Sequence, residues 1–201
     1  VDDDRLGPAL EKAVGLLLPS QASNTAGAWR YSPTSQDADT TVSGACVVAL
    51  FAARNAGVAV PDKAFERALK FYETCQSPEG GFGYTNASGP NAPRSAIGTL
   101  VFSLSRVHDK AVKTGLAFLE SGAAQAFGQP YYYYYLYYAS QAYFQADIEL
   151  WNGWNKVNIR TLKKAQNADG SWTGQFGQSF GTSSALLSLA LNYRFLPIYE
   201  R

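Results

Sequence analysis

The sequence predicts an all-α domain of about four helical hairpins, arranged as an inner and an outer layer of helices. Segments with one polar and one apolar face alternate with segments that are apolar on nearly every face, at a period of about 40 to 55 residues. A loop that combines glycine with an aromatic residue follows each amphipathic segment. Such a period is typical of helical repeat arrays, so we interpret residues 1–201 as a single repeat domain.

The amphipathic segments are predicted to form the outer layer. Between residues 63 and 73 the charged side chains recur on one helical stripe, while Phe65, Leu69 and Tyr72 lie opposite. This pattern indicates a helix with one solvent-facing side. The same pattern recurs near residues 5–18, 109–121 and 152–166.

The apolar segments are predicted to form the inner layer. Val42, Cys46 and Ala49 follow helical spacing, and Val47 and Phe51 occupy the remaining faces. A helix that is apolar all round is expected to be buried on all sides. Equivalent segments lie near residues 94–107, 131–146 and 180–194.

The composition fits a domain with a substantial core, because 46% of the residues are hydrophobic and 14% are aromatic. Seventeen basic and sixteen acidic residues give a net charge of +1 without a basic run, so no nucleic-acid partner is predicted. No apolar stretch reaches the ~18 residues that indicate a membrane span. The chain begins at Val1 and contains no methionine, so we expect its natural start to lie upstream. The compartment stays unknown, with secretion or the periplasm as the candidates.

Two of the glycine–aromatic loops carry a family resemblance. Residues 76–82 read Gln-Ser-Pro-Glu-Gly-Gly-Phe and residues 166–172 read Gln-Asn-Ala-Asp-Gly-Ser-Trp, so each places an aromatic residue six positions after a glutamine. This spacing resembles the Gln-Trp motif of the prenyltransferase and squalene-cyclase repeat superfamily. The tyrosine-rich segment 131–138 and the Tyr-Arg-Phe-Leu-Pro run at 193–197 are similar to bacterial squalene-cyclase-like proteins. The resemblance implies an α/α toroid, here a partial or short ring, whose inner helices surround a central cavity.

The first inner segment is preceded by Asp37-Ala38-Asp39-Thr40-Thr41, which resembles the Asp-x-Asp-Asp-Thr motif of class II terpenoid cyclases. The resemblance implies Asp39 as a Brønsted acid and Asp37 as its neighbour, although Thr40 replaces the third aspartate. Such an acid must be kept protonated, which burial and a nearby carboxylate can achieve. An aspartate before an apolar run is also a good helix N-cap. Capping, acid catalysis and contact with a polar ligand therefore remain open for Asp39.

Aromatic residues are the candidates for contact with a ligand in the central cavity. Tyrosine rings on the 131–138 helix are able to line an apolar cavity or to pack in the core. Arg94 replaces Thr40 one repeat later, and is interpreted either as an exposed first-turn residue or as an ion-pair partner at the cavity mouth. The candidate ligand contacts are Trp29, Tyr31, Phe82, Tyr84, Arg94, Tyr131, Tyr132, Tyr135 and Trp172.

The preferred functional prediction is a domain that binds an apolar, isoprenoid-like or extended ligand in an aromatic-lined cavity without chemistry. One alternative is a metal-independent, terpenoid-cyclase-like isomerase or lyase that uses Asp39. The other alternative is a protein-interaction module. Assembly into a homo-oligomer is a further prediction that the sequence leaves open. No cofactor or metal is predicted. The zinc site of protein prenyltransferases needs Asp, Cys and His ligands, and the sequence shows no such group around its one histidine. His108 is the only histidine and is expected to be a surface or capping residue.

Overall fold

The computed structural model describes residues 3–106, 109–123 and 130–193, which contain eight α-helices and no β-strand. The all-α class is thus confirmed over these ranges. A π-helical turn, Leu119–Ala123, continues the fifth helix, and a 3₁₀ turn, Leu191–Tyr193, continues the eighth. In the same ranges, no helix combines the length and the apolar character needed to cross a membrane. The helices are α1 (Leu6–Ser23), α2 (Thr40–Asn55), α3 (Asp62–Cys75), α4 (Ala92–Ser105), α5 (Asp109–Phe118), α6 (Tyr132–Ala146), α7 (Ile148–Ala165) and α8 (Gly177–Ala190).

The even-numbered helices form a row in which each packs on the next: α2 on α4, α4 on α6, and α6 on α8. The odd-numbered helices pack on members of this row, as α3 does on α2 and α4, α5 on α4, and α7 on α6. The strongly amphipathic α3 and α7 bury one face each, because their apolar residues recur at helical spacing.

Local capping fixes where three of the helices begin. The Asp39 carboxylate accepts hydrogen bonds from backbone N–H groups at the start of α2, and Asp147 does the same for α7. The Asn91 side chain caps α4, and Pro93 lies in the first turn, where a missing N–H costs nothing. The caps at Asp39 and Asn91 lie beside the cleft described below.

Burial of the inner helices depends on their place in the row. Most residues of α4 and α6 are buried, as predicted, because each has an inner neighbour on both sides. The prediction of burial on all sides is wrong for α2 and α8, the helices at the two ends of the row. Ala45 and Ala49 are exposed on α2, and Leu186 and Leu187 are 53% and 37% exposed on α8.

Candidate functional site

The glutamine at the end of an outer helix has the same role in three loops of the described chain. Its side-chain amide donates a hydrogen bond to the carbonyl of a glycine in the loop that follows. Gln21 and Gln76 also donate to a carbonyl of the next outer helix, which joins neighbouring hairpins. Gln21 lacks an aromatic residue six positions later, so motif spacing misses it, although its place before a glycine–aromatic loop is a usable signal. The distances are 2.9 Å for Gln21–Gly27, 3.1 Å for Gln76–Gly80 and 2.8 Å for Gln166–Gly170.

The aromatic residue of each of these loops, Trp29, Phe82 or Trp172, is a core residue. The three side chains are at most 4% exposed. The backbone N–H of each donates to a hydroxyl on the following inner helix, which fixes the loop on that helix. The structure therefore does not bring these three predicted ligand contacts to a cavity, and packing accounts for them. The hydroxyl acceptors are Ser43 for Trp29 at 3.0 Å, Ser95 for Phe82 at 2.9 Å and Thr182 for Trp172 at 3.0 Å.

A cleft of about 720 Å³ lies at the N-terminal ends of α2, α4 and α6. This volume is within the range of small-molecule sites, roughly 300–1,000 Å³. Thr41, Val42, Ala45 and Cys46 of α2 form one side, and the start of α4 contributes Asn91, Pro93 and Arg94. Six aromatic rings complete the wall: Tyr31, Tyr84, Tyr131, Tyr134, Tyr138 and Phe176.

The tyrosine-rich helix divides its rings between the cleft and the core. Tyr131, Tyr134 and Tyr138 line the cleft, because residues three and four positions apart share a helix face. Tyr135 is only 4% exposed and belongs to the core, and Tyr132 packs against the neighbouring Tyr133 ring at 5.2 Å. Of the three tyrosines predicted here, only Tyr131 lines the cleft. Helical spacing counted from Tyr131 would have found Tyr134 and Tyr138.

Tyr31 and Tyr84 form the rim on the loop side. Their hydroxyl oxygens are 3.2 Å apart, and Tyr31 is 74% exposed. The Arg30 guanidinium lies 5.2 Å from the centre of the Tyr84 ring, and the Arg94 guanidinium lies 5.8 Å from it. Both distances are within the range of cation–π attraction, so the Tyr84 ring is held by two cations.

Four titratable side chains in the wall of the cleft are neutral near neutral pH. Burial raises the pKa of Tyr134 to about 12 and that of the Cys46 thiol to about 11. Burial, assisted by the hydrogen bond to Tyr31, raises the pKa of Tyr84 to about 12, and burial raises the pKa of Tyr138 further still. Among the described lining residues, the one charged side chain is that of Arg94.

Asp39 lies beside the cleft but does not line it. The side chain is fully buried, and its Oδ1 accepts from the Thr41 N–H at 2.8 Å, the Val42 N–H at 2.9 Å and the Thr41 hydroxyl. Its Oδ2 lies 3.5 Å from Arg30 Nε, and the same guanidinium lies 3.0 Å from Asp37 Oδ2. The capping bonds and this ion pair engage both aspartates, although no hydrogen bond from a described residue reaches the buried Oδ2 of Asp39. Asp39 is therefore not among the residues that face the cleft, where an acid acting on a cleft ligand would have to lie.

No cluster of His, Cys, Asp or Glu side chains suited to a metal ion occurs in the described ranges. His108, residues 127–129 of the predicted glycine–aromatic loop at 127–131, and residues 194–197 of the run at 193–197 lie outside the described residues. Comparison with protein-family models, with curated proteins and with solved structures finds no match to this chain.

Proposed function

We propose that the cleft binds an apolar small molecule without chemical conversion. The observation that carries this proposal is the cleft of about 720 Å³ with six aromatic rings in its wall. Aromatic side chains bury a large apolar area and fix the orientation of a ligand through their ring faces. The neutral state of Tyr84, Tyr134, Tyr138 and Cys46 removes the cost of burying charged wall groups beside an apolar ligand.

We further propose that the chain is related to the prenyltransferase and squalene-cyclase repeat superfamily and that its row of inner helices is part of an α/α toroid. The recurring bond from glutamine to a loop glycine, in three loops at 2.8–3.1 Å, supports this relationship. The bond from the N–H of the loop aromatic residue to an inner-helix hydroxyl also recurs in the same three loops. Two hydrogen bonds that recur together support an internal repeat, and a repeat of this kind is what the superfamily resemblance implies.

The cyclase alternative lacks a comparable observation. Asp39 is the residue that it needs, and this carboxylate is fully buried among donors of its own helix and Arg30. General acid catalysis requires the acid to lie within hydrogen-bond reach of the reacting atom. We therefore favour binding over catalysis.

The test is a titration with the neutral apolar probe N-phenyl-1-naphthylamine, whose fluorescence rises in an apolar site. The wild-type chain should give a saturable rise. Ala45→Phe should weaken the affinity by about tenfold or more, a change of about 1.4 kcal/mol, because Ala45 lines the cleft and its new ring would occupy ligand volume. Ala49→Phe is the matched control, since Ala49 is exposed one turn further along α2 and does not line the cleft.

A saturable rise that Ala45→Phe leaves unchanged would place the probe elsewhere and contradict the proposal, as would the absence of any rise. Circular dichroism of both variants checks that the fold is kept. Native mass spectrometry of the wild-type chain reports a retained ligand and the oligomeric state in one measurement, and so also tests the homo-oligomer prediction.

A further inference from the structure

Among the residues that the structure describes, Arg94 gives the cleft a single positive charge without an acidic partner. Its side chain is half-buried in the first turn of α4, and burial lowers its pKa. Among the described residues, no carboxylate lies within ion-pair distance of Arg94, and its recorded side-chain contact is with the face of the Tyr84 ring. The start of a helix carries a positive partial charge, so the backbone of α4 does not compensate it either.

The nearest acidic side chains are already engaged by another arginine. Arg30 lies 3.0 Å from Asp37 Oδ2 and 3.5 Å from Asp39 Oδ2, and it also faces the Tyr84 ring. Two arginines thus share one aromatic ring, but only Arg30 has acidic partners. A partly buried guanidinium without a counter-charge attracts an anion more strongly than a fully solvated guanidinium does.

From this contrast we propose that the ligand of the cleft is an amphipathic molecule with one carboxylate, which the Arg94 guanidinium binds while the apolar body lies against the tyrosine rings. The inference rests on the proposed function, because it assumes that the cleft is the ligand site. A guanidinium presents paired N–H donors that match the two oxygens of a carboxylate. The described lining contains no acidic side chain to oppose the anion.

The test compares three ligands that share one ten-carbon chain and differ in charge: decanoate, 1-decanol and decylamine. Each is titrated at pH 8 against the wild-type chain loaded with N-phenyl-1-naphthylamine, and displacement of the probe is followed. Decanoate should displace the probe at about tenfold lower concentration than 1-decanol, and decylamine should be the weakest.

Arg94→Gln should abolish the preference for decanoate over 1-decanol, whatever its effect on the affinity for 1-decanol itself, because the test compares the two ligands within one variant. Arg94→Lys should keep part of the preference, since it retains the charge but loses the paired donors. Arg160→Gln is the charge-matched control, because Arg160 is exposed on α7 and does not line the cleft.

The outcomes separate the two proposals. If probe binding is saturable but decanoate and 1-decanol compete equally, or if Arg94→Gln leaves the preference intact, the carboxylate inference is refuted and the binding function stands. If the probe does not bind, the binding function fails, and the carboxylate inference fails with it. Loss of the preference in Arg160→Gln as well would show a nonspecific charge effect and would also refute the inference.

Discussion

The contact between α4 and the loop aromatic residue of its own hairpin allows a sharp test of the packing. Gly98 lies in α4 against the ring of Phe82, which is fully buried. A Cβ atom at Gly98 would lie 2.5 Å from Cγ of Phe82 and 2.6 Å from both Cδ atoms. Carbon atoms normally approach to about 3.5–4.0 Å, so the ring would have to move by about 1 Å. Tyr72 and Phe102 oppose that movement, with ring centres 6.1 Å and 5.7 Å from Phe82.

We therefore expect Gly98→Ala to destabilise the chain even though alanine is the better helix former. Overpacking of a core costs about 1–3 kcal/mol, and the short distances indicate the upper part of that range. Replacing glycine by alanine inside a helix stabilises the helix by about 1 kcal/mol, which offsets part of this cost. The net loss in the free energy of unfolding is about 2 kcal/mol, which corresponds to a fall in Tm of roughly 4–8 °C for a chain of this size.

Thermal and urea unfolding followed by circular dichroism measure the change, and Gly153→Ala is the matched control. Gly153 lies inside α7, and a Cβ atom there would meet nothing within 4 Å. This second substitution should stabilise the chain by about 0.5–1 kcal/mol. If the two variants shift Tm in the same direction and by similar amounts, Gly98 does not pack against Phe82 as described, and the argument fails.

Three further predictions concern the loops, the helix cap and the buried thiols. Trp172→Phe should lower the free energy of unfolding by about 1–3 kcal/mol in urea titrations, because it removes the indole donor of the buried 2.9 Å bond to the Leu162 carbonyl; a neutral result would contradict this role. Asp39→Ala should cost about 1–2 kcal/mol and Asp39→Asn less, since only asparagine keeps an oxygen that accepts from the start of α2; equal losses would argue against capping. Burial raises the pKa of Cys75 to about 11 from its ordinary value of 9.0, so the folded chain keeps a proton that the unfolded chain loses. This contribution to stability is complete below pH 9 and is lost between pH 9 and pH 11, so Tm should fall across that window and fall less in Cys75→Ala; a flat Tm profile in the wild type would refute it.

The neutral tyrosines of the cleft have a consequence for ligand binding. The raised pKa values of Tyr84 and Tyr134, each about 12, keep these walls uncharged well above neutral pH. The affinity for a neutral ligand should therefore stay constant from pH 6 to pH 9. A strong change of the measured affinity in this interval would contradict the neutral state of Tyr84 and Tyr134.

Which of the predicted site residues line the cleft depends on geometry that the sequence does not contain. Tyr31, Tyr84, Arg94 and Tyr131 line the cleft, whereas Trp29, Phe82 and Trp172 lie in the core. A glycine–aromatic loop looks the same in sequence whether its ring points into the core or towards a cavity. The ring turns inward in these loops because the residue's own N–H is fixed to a hydroxyl on the inner helix.

The sequence by itself determined the helical class, the alternation of amphipathic and apolar helices and the glutamines that follow two outer helices, Gln76 and Gln166, because these depend on local periodicity and capping chemistry. Only the tertiary structure decided which faces of the apolar helices are exposed. Composition alone does not show that α2 and α8 each pack against one inner helix, whereas α4 and α6 each pack against two. The tertiary structure also decided that Arg30 engages both Asp37 and Asp39 and that Arg94 has no acidic partner among the described residues, since the pairing of charges is set by distances in the folded chain.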